Sequence, residues 1–169
     1  DPSTFANGID DEIFAKLVAL IRIAVPYTGM IVSTRESQAV REKVLKLGIS
    51  QISGGSRTSV GGYTEEERPT DTEQFDVSDQ RTLDEVVHWL MDLGYIPSFC
   101  TACYRAGRTG DRFMELCKSK QIQNCCHPNA LMTLKEYLMD YASAETKAIG
   151  EALIEAELNN IPKENVREI

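Results

Sequence analysis

Apolar residues recur at Ile13, Phe14, Leu17, Val18, Ile21 and Val25, the three-and-four spacing of a helix. Asp10 stands at the N-cap position of that helix, and Pro26 closes it. The run "GMIVSTRE" predicts a short buried strand, Met30 to Ser33, with polar residues at its C-terminal end. "SQAVREKVLKLG" predicts a helix from Ser37 to Leu47 stopped by Gly48. A second strand, "ISQIS", precedes the loop "GGSRTSVGGY". Strand, helix and strand joined by short connections form a βαβ unit, which implies a parallel sheet.

The pattern then changes. Residues 64–80 are acidic and lack apolar periodicity, so they read as a linker. "TLDE", Thr82 to Glu85, is a capping box opening a helix with Leu83, Val86, Val87, Leu90 and Leu93 inward, ended by Gly94. Thr109 can cap a short helix bearing Phe113, Met114 and Cys117. "TLKE", Thr133 to Glu136, reads as a second capping box before Leu134, Tyr137, Leu138 and Tyr141, and a last amphipathic helix runs from about Ala144 to Leu158. The chain is thus α/β over 1–63 and mainly helical over 81–169. Two strands do not make a stable sheet alone, so the expectation is a piece of something longer.

With 169 residues, 42% hydrophobic and 26% charged, the composition is that of an ordinary globular chain. A net charge of −8 argues against a general binder of nucleic acid or membrane surfaces, which needs a cationic face. The longest apolar run, Leu17 to Val25, is interrupted by Arg22 and too short to span a bilayer. Five cysteines without a secretory signal, the stretch Asp1 to Glu12 being acidic, predict a reducing, cytoplasmic setting. There, clustered cysteines bind metal or do redox chemistry more often than they form structural disulfides.

The segment "SFCTACYRAGRTG" concentrates that chemistry: Cys100 and Cys103 form a C-x-x-C pair followed by Arg105, Arg108 and two glycines. A four-cysteine zinc site favours a second C-x-x-C, which is absent, and adjacent Cys125 and Cys126 fit poorly on one ion; His127 could complete a Cys3His site. A redox pair expects the motif at a helix start after a strand, whereas a proline-containing loop precedes it here. An iron–sulfur cluster would use Cys100, Cys103 and one of Cys117, Cys125 or Cys126, leaving one iron open, with the arginines offsetting cluster charge. Cys117 lies four residues after Phe113, the spacing of a buried helix face. Spacing does not choose between Cys125 and Cys126.

A second candidate site lies where the strands end. Ser33, Thr34 and Arg35 finish the first strand, Ser53 and Ser56 the second, and in a parallel sheet these ends are neighbours. A guanidinium beside a hydroxyl can receive an amino-acid carboxylate in bidentate fashion. The alternative for Arg35 is a surface pair with Glu36 or Glu42. Gly54, Gly55, Gly61 and Gly62 read as turn punctuation.

"CTACYRAGRTGDRFM" followed by "CHPNALMTLKEYLMDYA" resembles the C-terminal domain of the HydG family, the radical-SAM tyrosine lyases of [FeFe]-hydrogenase maturation. That family's auxiliary cluster motif is a C-x-x-C pair and a third cysteine after twenty-two residues; Tyr104 through Cys125 fill the gap and bring Cys126 into register. The resemblance implies that Cys100, Cys103 and Cys126 hold an auxiliary [4Fe-4S] cluster, with an extra iron and a free cysteine in the full enzyme, and that Cys125 is only a neighbour. "AVPYTGMIVSTRES" and "GISQISGGSRTSVGGY" are similar to the closing part of the family's catalytic domain. The implied fold is the last βα units of a parallel (β/α) barrel followed by a helical domain, with Arg35 and Ser53 at about the places that hold the substrate carboxylate. The tyrosine lyase of thiamine biosynthesis is similar in "STRES" and "GGY" but lacks the three-cysteine site.

The chemistry implied for the full-length protein begins with cleavage of S-adenosylmethionine at a second [4Fe-4S] cluster. Tyrosine is then split into p-cresol and dehydroglycine, and dehydroglycine gives carbon monoxide and cyanide for other hydrogenase maturation proteins. The signature Cys-x-x-x-Cys-x-x-Cys is not in these residues, so the fragment alone is expected to be inactive. The family's histidine near the extra iron is expected upstream of Asp1. His88 reads as structural, and His127 as an exposed loop histidine or a donor beside the cluster. The competing reading is a non-catalytic zinc-binding or docking module using Cys100, Cys103, Cys126 and His127.

Overall fold

A computed structural model describes residues 9–59, 61–64, 77–105, 107 and 110–161. The chain divides into two compact units, 1–80 and 81–169. The described residues are mainly helical, with one small parallel sheet of two strands.

The first unit contains α1 (Asp11–Ala24), β1 (Ile31–Val32), α2 (Gln38–Leu45) and β2 (Gln51–Ile52). Both helix starts follow from local chemistry: the Asp10 carboxylate accepts the Ile13 N–H at 2.8 Å, and Ser37 Oγ accepts that of Val40 at 3.3 Å. Ile31 pairs with Gln51 and Val32 with Ile52, in the expected parallel sense but over only two residues per strand. Ala15, Val18, Val32, Val40 and Val44 form the core, with Phe14, Met30, Leu47, Ile49 and Ile52 against it. Not every apolar position of α1 faces this core: Ile13 is 49% and Leu17 44% exposed. The helix is apolar on more than one side, and only the side of Ala15 and Val18 is covered within the unit.

Arg22, the charge that interrupts the apolar run, ties the unit together. Its Nε and Nη2 donate to the Gly48 carbonyl at 3.1 and 2.7 Å, and its Nη1 to the carbonyls of Pro26 and Thr28 at 3.0 and 2.8 Å. Gly48 has a φ of 101°, and a Cβ there would lie 2.9 Å from Arg22 Nε. Glycine therefore both ends α2 and admits the guanidinium.

The second unit contains α3 (Leu83–Asp92), α4 (Ala102–Arg105), α5 (Asp111–Lys118), α6 (Ile122–Asp140) and α7 (Ala144–Leu158). The capping box at Thr82 is present: Glu85 N–H donates to Thr82 Oγ1 at 3.3 Å, and Thr82 N–H to Glu85 Oε2 at 2.7 Å. Gly94, with φ 80°, lies just beyond the end of α3. Thr109 lies outside the described residues, and Gly110 occupies the N-cap of α5 without a side-chain bond. The "TLKE" reading is corrected. Thr133 is interior to α6, which continues through Pro128, and its hydroxyl donates to the Ala130 carbonyl at 3.1 Å. Ala130, Leu131 and Met132 are strong helix formers and Leu131 is buried, so continuing the helix wins over starting one.

Val87, Met91, Leu134, Tyr137 and Leu138 form the second core, lined by Ile149, Leu153 and Ile154 of α7. Gly150 sets the approach of α6 and α7, since a Cβ there would lie 2.4 Å from Leu138 Cδ1. Among the described residues, no helix is long and apolar enough to cross a membrane.

Candidate metal centre and strand-end site

All five cysteines are free and half-buried. Cys100 precedes α4, Cys103 lies within it, and Cys125 and Cys126 occupy the start of α6. Cys100 Sγ accepts the Ala102 N–H at 3.4 Å, while the Cys100 N–H donates to Ser98 Oγ at 3.3 Å. Burial pushes the Cys126 thiol up to about 12, helped by a hydrogen bond with Cys125 and by the charges of Cys125, Cys103 and Cys100. Cys125 Sγ lies 3.8 Å from that of Cys126 and donates to the Gln121 carbonyl at 3.3 Å. Among the described residues, no three His, Cys, Asp or Glu side chains are close enough together to hold one metal ion.

His127 is not an exposed loop residue. It lies in α6, half-buried, with Nε2 at 2.9 Å from Glu157 Oε2 of α7, an ion-pair distance without hydrogen-bonding geometry. His88 is held structurally, as expected, with Nδ1 3.2 Å from Thr146 Oγ1. Arg105 is exposed in α4, and Arg108 lies outside the described residues.

The residues around Cys100 are fixed to the helix that carries Cys126. Phe99 N–H donates to Thr133 Oγ1 at 3.3 Å, and the Phe99 ring stacks on Tyr137 at 4.9 Å and 17°. Tyr137 in turn donates to Asp84 Oδ1 at 3.2 Å, and the Asp84 carboxylate also accepts from Thr146 Oγ1 at 2.9 Å and Ser143 N–H at 3.4 Å. Sequence reading missed this network, because it joins residues 34 to 62 positions apart.

Burial works against the charged form of Asp84, but hydrogen bonds from Ser143, Thr146 and Tyr137 outweigh it and hold the carboxyl below its ordinary value. A depressed carboxylate adds stability above its unfolded value, about 3.9, and loses it as pH falls through the folded value. Asp84→Asn is therefore expected to cost about 1–2 kcal/mol at neutral pH. It should also flatten the acid arm of a plot of thermal midpoint against pH. An acid arm as steep as that of the unaltered protein would contradict this.

At the strand ends, Arg35 is exposed and its N–H donates to Ser33 Oγ at 3.1 Å. Glu42, one surface partner considered for it, pairs with Lys46 at 2.9 Å. Ser53 is half-buried, and its N–H extends the ladder to the Val32 carbonyl at 3.1 Å. Arg41 was not singled out in the sequence. It is fully buried in α2, where its guanidinium pairs with the Asp79 carboxylate and donates to the Ser53 carbonyl. Asp79, within the stretch read as linker, is also buried, and its N–H donates to the Thr34 carbonyl at 2.9 Å. Only the place of Arg41 beside Val40, on the apolar side of α2, hinted at this.

Residues 2–96 match the family model of the Biotin and Thiamin Synthesis associated domain. The 2-iminoacetate synthases of Salmonella typhimurium and Escherichia coli are each 30% identical over 92 residues, which is 54% of this chain and 24% of theirs. A crystal structure of HydG, a maturase of the [FeFe]-hydrogenase, is 54% identical with a TM-score of 0.86, over 98% of this chain and 36% of that one. The FeFe-hydrogenase maturase HydG from Carboxydothermus hydrogenoformans is 38% identical with a TM-score of 0.70, over 98% of this chain and 34% of its own. The chain spans about a third of the HydG structures and a quarter of the synthases.

Proposed function

Because this chain belongs to the family of the Biotin and Thiamin Synthesis associated domain, we propose that it is the C-terminal part of a HydG-like radical-SAM tyrosine lyase. In this reading, residues 1–63 are the last βα units of a parallel (β/α) barrel, 64–80 a connector, and 81–169 an auxiliary cluster domain. The observation that carries it is the 54% identity to HydG over 98% of this chain, which carries the C-x-x-C pair Cys100 and Cys103 and, further on, Cys126.

Cys100, Cys103 and Cys126 would hold an auxiliary [4Fe-4S] cluster. When bound, it would supply an iron lacking a protein thiolate and so open to exchangeable ligands, the chemistry that conversion of dehydroglycine to carbon monoxide and cyanide would call on. The chain's own part is to present three thiolates, from the residues before α4, from α4 and from α6, and to anchor Phe99 through Thr133 and Tyr137 so that Cys100 keeps its place. A single tetrahedral zinc would need all four donors in one shell, and the imidazole of His127 faces Glu157 instead. A cluster distributes its thiolates over separate irons, which suits this donor set better.

Arg35 and Ser53 would receive the tyrosine carboxylate: the guanidinium takes both oxygens and the hydroxyl adds a third bond. S-adenosylmethionine and its own cluster belong to the remainder of the enzyme, and the diatomic products would pass to other hydrogenase maturation proteins. The full-length protein, reduced anaerobically with tyrosine and S-adenosylmethionine, is expected to release both p-cresol and carbon monoxide. Formation of neither would overturn the reading, and p-cresol alone would remove its second half.

A further inference from the structure

Arg41 and Asp79 form a buried ion pair that the tyrosine-lyase reading does not use. Burying two charges costs several kcal/mol of desolvation, and well-packed apolar residues often serve stability as well. The pair's distinctive contribution is where its remaining hydrogen bonds go. Arg41 donates to the Ser53 carbonyl at the end of β2, and Asp79 N–H to the Thr34 carbonyl at the end of β1. The guanidinium of Arg41 therefore holds the end of β2 at the Ser53 carbonyl, and its pairing with the Asp79 side chain keeps the Asp79 main-chain N–H on the peptide unit that leads into Arg35. Thr34 is buried beneath these bonds, so the peptide before Arg35 has little freedom to rotate.

We propose that Arg41 and Asp79 are positioning residues that fix the relative placement of Arg35 and Ser53 so that the two grip one carboxylate. This rests on the assignment of Arg35 and Ser53 to tyrosine binding. Neither Arg41 nor Asp79 touches the substrate. Their effect passes through the backbone, so losing them should weaken substrate binding without removing any group that contacts it.

The test uses the full-length enzyme with Arg41→Met and Asp79→Leu combined, an apolar replacement that avoids leaving one charge buried and alone. The KM for tyrosine should rise about tenfold, with kcat for p-cresol and iron and sulfide content little changed. Arg41→Lys, which keeps the charge beside Asp79 but lacks the second donor that reaches the Ser53 carbonyl, should give a smaller rise and serves if the double variant does not fold. An unchanged tyrosine KM in whichever of the two folds, whatever happens to its thermal midpoint, overturns the inference. Arg35→Lys, measured alongside, separates the two ideas. A raised KM for Arg35→Lys with none for the clamp variants defeats the clamp alone. No change for Arg35→Lys defeats the carboxylate site itself.

Discussion

Cys126→Ala in the full-length protein is expected to bring carbon monoxide down to near background while p-cresol still forms, and Cys125→Ala to change neither product by much. The two cysteines are adjacent, yet their surroundings differ. Cys126 stands at the register of the family's third ligand, whereas the Cys125 thiol donates to the Gln121 carbonyl one turn back in the helix. Removing Cys126 leaves two thiolates, which hold a cubane poorly. Tyrosine cleavage is assigned to the barrel and its own cluster, so the first product survives. Cys125→Ala removes a half-buried thiol and should cost about 1 kcal/mol of stability. Both products are measured from both variants under identical anaerobic reconstitution. Normal carbon monoxide from Cys126→Ala, or its loss from Cys125→Ala alone, would mean that the wrong cysteine has been assigned.

Arg35→Lys is expected to raise the tyrosine KM by about 10- to 100-fold, the equivalent of losing one hydrogen bond to a charged group. Lysine keeps the charge but presents a compact ammonium in place of a planar fork, so bidentate contact is lost. Arg35 is exposed just beyond the end of β1, so thermal stability and iron content should change far less than tyrosine use. The dependence of p-cresol formation on tyrosine concentration checks this, and an unaltered curve would count against the site.

What could be read from the sequence was mostly local. The N-caps at Asp10 and Thr82 were legible because a cap needs only its own side chain and an N–H three residues on. The same locality misled at Thr133, whose "TLKE" has the letters of a capping box but follows residues that already form a helix. The strand ends at Arg35 and Ser53 could be placed from the βαβ pattern. The Arg41–Asp79 pair that secures them could not, since it bridges 38 positions and one partner sits in a stretch with no periodicity. At the candidate metal centre, the C-x-x-C pair stood out by spacing, whereas Cys126 came from family register. The Phe99–Tyr137 stack and the His127–Glu157 pairing depend on how α6 meets its neighbours, which no spacing encodes.

The most direct measurement is anaerobic iron, sulfide and zinc analysis of this 169-residue chain after reconstitution, with Cys126→Ala alongside. The account predicts about four irons per chain with matching sulfide, and loss of both in the variant. One zinc per chain with no sulfide would contradict it.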